Sequence, residues 1–147
     1  MSLVKILFLD FDGVLNNYKE RNFGEKFSSA ACGNLNLLLS RVPDLQIVVS
    51  SSWRIWGLDY LRKVLYKNGI DPERAIDVTG KEDGIRGIQI QAWLDRNPGV
   101  TNMVIIDDES DMGALSNKLA KTSMYVGLTS KEVDQAIEIL SEPMNRK

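Results

Sequence analysis

The chain contains no histidine and only one cysteine among its 147 residues. Without histidine, Ser-His and Cys-His catalysis and imidazole-based zinc sites are excluded. One cysteine can build neither a thiolate metal site nor an internal disulfide. Acid–base chemistry near neutral pH must then come from carboxylates, lysine, tyrosine or metal-bound water. Cys32 lies in Ala30-Ala31-Cys32-Gly33, inside an expected helix, and reads as a small buried hydrophobe. A reducing compartment suits such a chain, and the cytoplasm is the expected location. No charged-then-apolar leader precedes the first apolar run. No apolar run reaches about 18 residues, so neither a transmembrane helix nor a membrane partner is expected. Basic and acidic residues nearly balance, 18 against 20, so bulk electrostatics do not announce a nucleic-acid binder. A phosphate-bearing partner would need a local basic site or a bound cation.

What is present is an ordinary apolar fraction of 44% and a regular alternation of elements. The length suits one domain spanning residues 1–147. Leu3 to Leu9 reads as a first strand. Asn16 to Phe27 is polar and mixed and reads as a flap. Ser28 or Ser29 can cap a helix to Arg41, with Leu35, Leu38 and Leu39 on one face. Leu45 to Val49 is β-rich and ends in Ser50-Ser51-Ser52. Leu58, Leu61, Val64 and Leu65 give helical spacing between Gly57 and Asn68. A short strand is expected over Ala75–Val78. The next helix, Gly84 to Arg96, is expected to turn Ile85, Ile88, Ala92 and Trp93 inward. Met103 to Ile106 reads as a strand, Met112 to Leu119 as a helix, and Ser123 to Val126 as a last strand. Thr129-Ser130-Lys131-Glu132 is a capping box opening a final helix to Leu140. The tail from Glu142 to Lys147 is expected to fray. Strands alternating with helices imply an α/β fold: a three-layer, Rossmann-like parallel sheet with helices on both faces.

The chemistry concentrates where strands end. The first apolar run stops at Asp10-Phe11-Asp12-Gly13, and the Met103–Ile106 run stops at Asp107-Asp108. Ligands of open α/β sheets bind at the carboxyl ends of the strands. Two acids there can hold a hard cation, and one can act as a nucleophile. Crowding like charges at one point costs stability unless a cation sits among them. Ser50 to Ser52 and Arg86 fall at the same edge, at a strand end and a helix start.

The order Asp10-x-Asp12-Gly13-Val14-Leu15, then a strand-end serine, then a basic residue, then Ile105-Ile106-Asp107-Asp108, resembles the haloacid dehalogenase (HAD) superfamily of Mg²⁺-dependent phosphotransferases. Ser51-Ser52-Trp53-Arg54, with Arg86 to Leu94, is similar to a small uncapped group related to the domains of Swiss army knife RNA-repair proteins. The resemblance implies a phosphatase working through an aspartyl-phosphate. It makes Asp10 the nucleophile and Asp12 the acid and base. It assigns Mg²⁺ to Asp10, the Asp12 backbone carbonyl and Asp108, with Asp107 a further ligand or a partner of one. Ser51 would hold the phosphoryl oxygens, with Ser50 and Ser52 as alternatives. Arg86 would stabilise the phosphoryl charge, with Lys81 as a rival. Asp111 would orient a metal-bound water. Gly13 is a candidate substrate contact, and Arg54, read from its chemistry alone, suits either a bidentate phosphate contact or a structural ion pair. Oxygen-only ligands agree with Mg²⁺ over zinc.

No segment between Asp12 and Ser51, or between Ser51 and Arg86, has room for an inserted cap. An open site favours a phosphorylated macromolecule, a nucleic-acid end or a phosphoprotein; a small-metabolite phosphatase is the alternative, since oligomer contacts can substitute for a cap. Lys19, Arg21 and Lys26, interleaved with Tyr18, Phe23 and Phe27, suit a nucleotide end or a solvated loop anchored by its aromatics. Trp53 and Trp56 suit either core or substrate contact. Two competing classes are a receiver-type signalling domain, whose acceptor aspartate belongs on a middle strand, and a non-catalytic phosphate-binding relative.

Overall fold

The computed structural model describes residues 2–145. A five-stranded, wholly parallel sheet forms its centre, built from β1 (Lys5–Leu9), β2 (Gln46–Val49), β3 (Ala75–Val78), β4 (Asn102–Asp107) and β5 (Leu119–Lys121). The spatial order is β3-β2-β1-β4-β5. The helices are α1 (Ser29–Arg41), α2 (Leu58–Lys67), α3 (Arg86–Arg96) and α4 (Ser130–Leu140). Short 3₁₀ helices follow β2 (Ser52–Trp56) and precede β5 (Gly113–Lys118).

Alternation along the strands sorts the core into two layers. Leu7, Leu9, Ile47, Val49, Val104 and Ile106 face one cluster, shared with α1, α2 and α4. Ile6, Phe8, Val48, Met103 and Ile105 face the other, shared with α3 and the second 3₁₀ helix. This is the three-layer arrangement expected from the sequence, and it follows from right-handed crossovers. The chain steps outward from β1 through β2 to β3, then returns to β4 and continues to β5. Connections on the two halves of the sheet therefore cover opposite faces. Neighbouring β1 and β4 send their connections apart, which opens a crevice at their carboxyl ends. No inserted domain interrupts this order among the described residues.

Several elements form as expected for local reasons. Ser28 Oγ caps α1 through the Ala31 N–H. The Thr129/Glu132 capping box opens α4. Leu61, Val64 and Leu65 are the buried stripe of α2. Cys32 is buried, and burial pushes its thiol up to about 11.

Four expectations are corrected. The expected Met112–Leu119 helix is a short 3₁₀ turn that feeds β5 directly. Ser123–Val126 is not a sheet strand: it is a turn closed by a single Ser123–Gly127 bridge. Its carbonyls are taken by the flap, since Tyr18 N donates to Met124 O (3.1 Å) and Lys19 N to Tyr125 O (2.9 Å). α3 buries Gly87, Ile90, Trp93 and Leu94, leaving Ile85 and Ile88 exposed. The cause is Gly87, which touches the Met112 backbone so closely that a Cβ would overlap its carbonyl oxygen. That contact fixes the rotation of the helix. Finally, the tail is tied down as far as Met144: its N–H donates to Thr101 O (2.7 Å), and its side chain packs on the α3-side core. Arg146 and Lys147 lie outside the described residues.

The Gly87 contact has a measurable consequence. Gly87→Ala must separate α3 from the 108–112 loop, and the expected cost is about 2–4 kcal/mol in urea unfolding. A loss below about 0.5 kcal/mol would show that the close approach is not required.

Candidate active site

The site is assembled at the β1/β4 divide. Asp10 continues β1, with its N–H donating to Ile106 O (3.1 Å). Asp107 ends β4 and is fully buried. Ser50 continues β2 beside Asp10, its N–H donating to Leu9 O (2.8 Å). Strand alternation sends these three side chains to the α3 side. There Arg86, the first residue of α3, meets them. Its Nη1 lies 3.0 Å from Asp107 Oδ2 and 3.6 Å from Asp10 Oδ1, and it also donates to the Ser50 carbonyl. Asp111 holds the start of α3 in place, because its carbonyl accepts Gly87 N–H (3.1 Å) and its carboxylate accepts Arg86 N–H (3.4 Å).

Asp10, Asp107 and Asp108 each offer a carboxylate oxygen, and these oxygens lie within 4.8 Å of one another. Burial, then the Asp107 charge, pushes the Asp10 carboxyl up to about 9, against the pull of Arg86. Burial pushes Asp107 up to about 6, again against Arg86. Asp108 lies within hydrogen-bonding reach of both. Three carboxylates cannot share such a space fully ionised on the strength of one guanidinium. The donor set is oxygen only and the site is short of positive charge, so these residues fit a hard divalent cation such as Mg²⁺.

Asp12 stands apart from this cluster. Its Oδ1 accepts the Asn16 amide (2.7 Å) and its Oδ2 the Trp53 indole N–H (3.1 Å). Only its backbone carbonyl is left for the metal role that the resemblance assigns. Asn16 also accepts the Gly13 N–H (2.9 Å), closing the turn after β1. Gly13 has φ +81°, and a Cβ there would stand 2.5 Å from Asp108 Oδ2. This turn is where the two acidic strand ends touch, and it requires glycine.

The three serines separate by position. Ser50 is buried with an unpartnered hydroxyl beside Asp10. Ser51 is buried, but its Oγ caps the 3₁₀ turn by accepting Trp53 N–H (3.2 Å). Ser52 is exposed. Ser50 thus has its whole hydroxyl unpartnered, whereas Ser51 keeps its O–H donor while its oxygen accepts the cap. Arg86 is the basic residue against the acids, and Lys81 lies exposed in the preceding loop. Arg54 is half-buried and donates to Gly80 O (3.0 Å) and Ser51 O (3.0 Å). The sequence places Asn16 in the flap and leaves Trp53 open between core and substrate contact; the structure brings both to Asp12. Their only sequence signal is proximity to the acidic and serine motifs. Trp53 also packs edge-on against Phe11 and Phe27, whereas Trp56 is 64% exposed.

The charge shortage dictates a pH dependence. Asp10 and Asp107 are both raised, so the metal-free folded protein holds protons that the unfolded chain has released. Stability is then greatest below the ordinary carboxylate range and falls as pH rises through about 6 and about 9. The expected thermal midpoint of metal-free protein drops between those values. Asp10→Asn should remove the upper part of the drop and add roughly 2 kcal/mol near pH 8. A midpoint rising with pH over this window, or lowered by Asp10→Asn, would contradict this picture of the site.

Comparison with known proteins agrees with the architecture. No curated protein sequence matches the chain. Among solved structures, the HAD domain of the effector protein Lem4 from Legionella pneumophila superposes with a TM-score of 0.60 over 95% of each chain at 18% identity, a likeness of fold. The family model described as the HAD domain in Swiss Army Knife RNA repair proteins matches residues 6–133, which include both acidic strand ends and Arg86. The chain belongs to that family of HAD domains.

Proposed function

We propose that the protein is a Mg²⁺-dependent phosphohydrolase that acts through an aspartyl-phosphate on Asp10, on the phosphorylated end of a nucleic acid. The observation that carries this reading is the meeting of Asp10, Asp107, Asp108 and Arg86 at the carboxyl ends of β1 and β4. Phosphoryl transfer depends on positioning and charge stabilisation, which this arrangement supplies.

Asp10, Asp107 and Asp108 would hold the cation. When bound, Mg²⁺ supplies the positive charge that keeps Asp10 ionised and offsets the phosphoryl oxygens. An Asp10 carboxylate oxygen bonds to phosphorus as the bond to the leaving oxygen breaks. Asp12 gives that oxygen a proton. Asp12, now a carboxylate, then takes a proton from water. The water oxygen bonds to phosphorus, and the acyl-phosphate bond breaks to return Asp10 and inorganic phosphate. Arg86 stabilises the transferring charge, and the Ser50 hydroxyl is free to bind a phosphoryl oxygen. The Trp53 indole and Asn16 amide hold Asp12 outside the acid cluster, free for its separate task.

Two observations support a macromolecular end. The crevice has no inserted domain over it among the described residues. The family that matches is described by RNA-repair proteins. The flap adds exposed Lys19, Arg21 and Lys26, with Tyr18 and Phe23 rings paired at 4.9 Å. It is anchored through the buried Phe27 and through Asn17, which donates to Val126 O (3.2 Å).

The test is phosphate release from an aryl phosphate, mononucleotides, terminally phosphorylated oligonucleotides and a phosphopeptide, with and without Mg²⁺. The expected result is metal-dependent release, fastest from the oligonucleotides, with Asp10→Asn lowering turnover by at least about 10³-fold. Full activity in Asp10→Asn would remove Asp10 as nucleophile. A preference for the phosphopeptide would overturn the nucleic-acid assignment.

A further inference from the structure

Arg54 is a half-buried basic residue of this edge whose charge the proposed mechanism leaves unused. Its guanidinium is fastened by two backbone carbonyls, Gly80 O and Ser51 O. Arg86 is fastened to the preceding carbonyl, that of Ser50. The two guanidinium groups thus hang from consecutive peptide units, on a chain whose Cα atoms step about 3.8 Å. Arg86 spends its charge on Asp10 and Asp107. Arg54 has no carboxylate within ion-pair distance among the described residues. Glu82, on the loop that Arg54 grips, is paired with Arg96 instead (3.0 Å). Burial, and secondarily Arg86, act against the Arg54 charge more strongly than Glu82 supports it, so a further anion beside it would be favourable. Nearby, the Thr79 hydroxyl is buried and unpartnered, at the end of β3 next to Gly80. Alternation turns it to the same face as Ser50, since Val78 packs on the opposite cluster.

A half-buried guanidinium that is immobilised, makes no ion pair among the described residues and holds the carbonyl next to the one Arg86 holds is suited to a second anion on the same ligand. We propose that Arg54 forms a second phosphate subsite, which reads the internucleotide phosphodiester next to the terminal phosphate. This rests on the phosphohydrolase reading and adds to it a reason for choosing a chain end over a mononucleotide.

The test is equilibrium binding, so that it does not depend on turnover. Two probes are compared on Asp10→Asn protein with Mg²⁺: a terminally phosphorylated thymidine dinucleotide with its normal linkage, and its methylphosphonate analogue, in which that linkage is neutral. With Arg54 present, the charged linkage should bind about 10-fold tighter. Arg54→Gln should cut this preference to below about 2-fold, and Arg54→Lys, which keeps the charge, should retain more of it than Gln does. No preference for the charged linkage with Arg54 intact would overturn the proposal, and this arm decides if the Gln variant does not fold. An unchanged preference in Arg54→Gln would overturn it too. So would an equal loss for both probes in both variants, which is what loss of the Gly80 and Ser51 tethers alone would give. Hydrolysis of the aryl phosphate by the unsubstituted protein reports on the phosphohydrolase reading separately.

Discussion

The structure is organised around one electrostatic constraint: three carboxylates and one guanidinium share the space where β1 and β4 end. The sheet brings the acids together because β1 and β4 pair in parallel and both end in aspartate. Several other features follow from that meeting. Gly13 is needed where the Asp108 carboxylate leaves no room for a Cβ. Gly87 lets α3 approach the loop after β4, which brings Arg86 over Asp10 and Asp107. Folding a site this poor in positive charge costs stability, and a cation would return it.

The large-scale architecture was legible because burial dictates it. Strands covered on both faces read as continuous apolar runs, and the acids that break those runs mark the functional edge. The Thr129 capping box and the α2 stripe were equally plain, since both are local patterns. What was not legible depended on contacts distant in sequence. The rotation of α3 is set by one close approach between Gly87 and Met112. The 123–127 segment has strand-like composition, yet its backbone is paired by the flap. Of three consecutive serines, Ser51 also serves a local cap, and only geometry shows that the Ser50 hydroxyl is buried without a partner. Asn16 and Trp53 carry no chemical signature of their own; their importance comes from the Asp12 carboxylate they share.

The division of labour among the acids follows from their surroundings rather than their identity. Asp10 is buried among other carboxylates, whereas Asp12, two residues on, is held by neutral donors. One turn of chain thus presents two carboxylates in different environments, which is compatible with the separate roles proposed for them. The arginines divide in a similar way: Arg86 is paired with the acids, and Arg54 grips the neighbouring carbonyl without an ion pair among the described residues, which is the basis of the subsite proposed for it.

The central claim is that Asp10 accepts a phosphoryl group, and it can be tested without knowing the substrate. Beryllofluoride adds to a carboxylate oxygen in the shape of a bound phosphoryl group, and fluorine NMR reports the bound form directly. The account predicts bound fluoride resonances that require Mg²⁺ and vanish in Asp10→Asn. Absence of a bound signal with Mg²⁺ present, or its persistence in Asp10→Asn, would contradict the assignment of Asp10 as the phosphoryl acceptor.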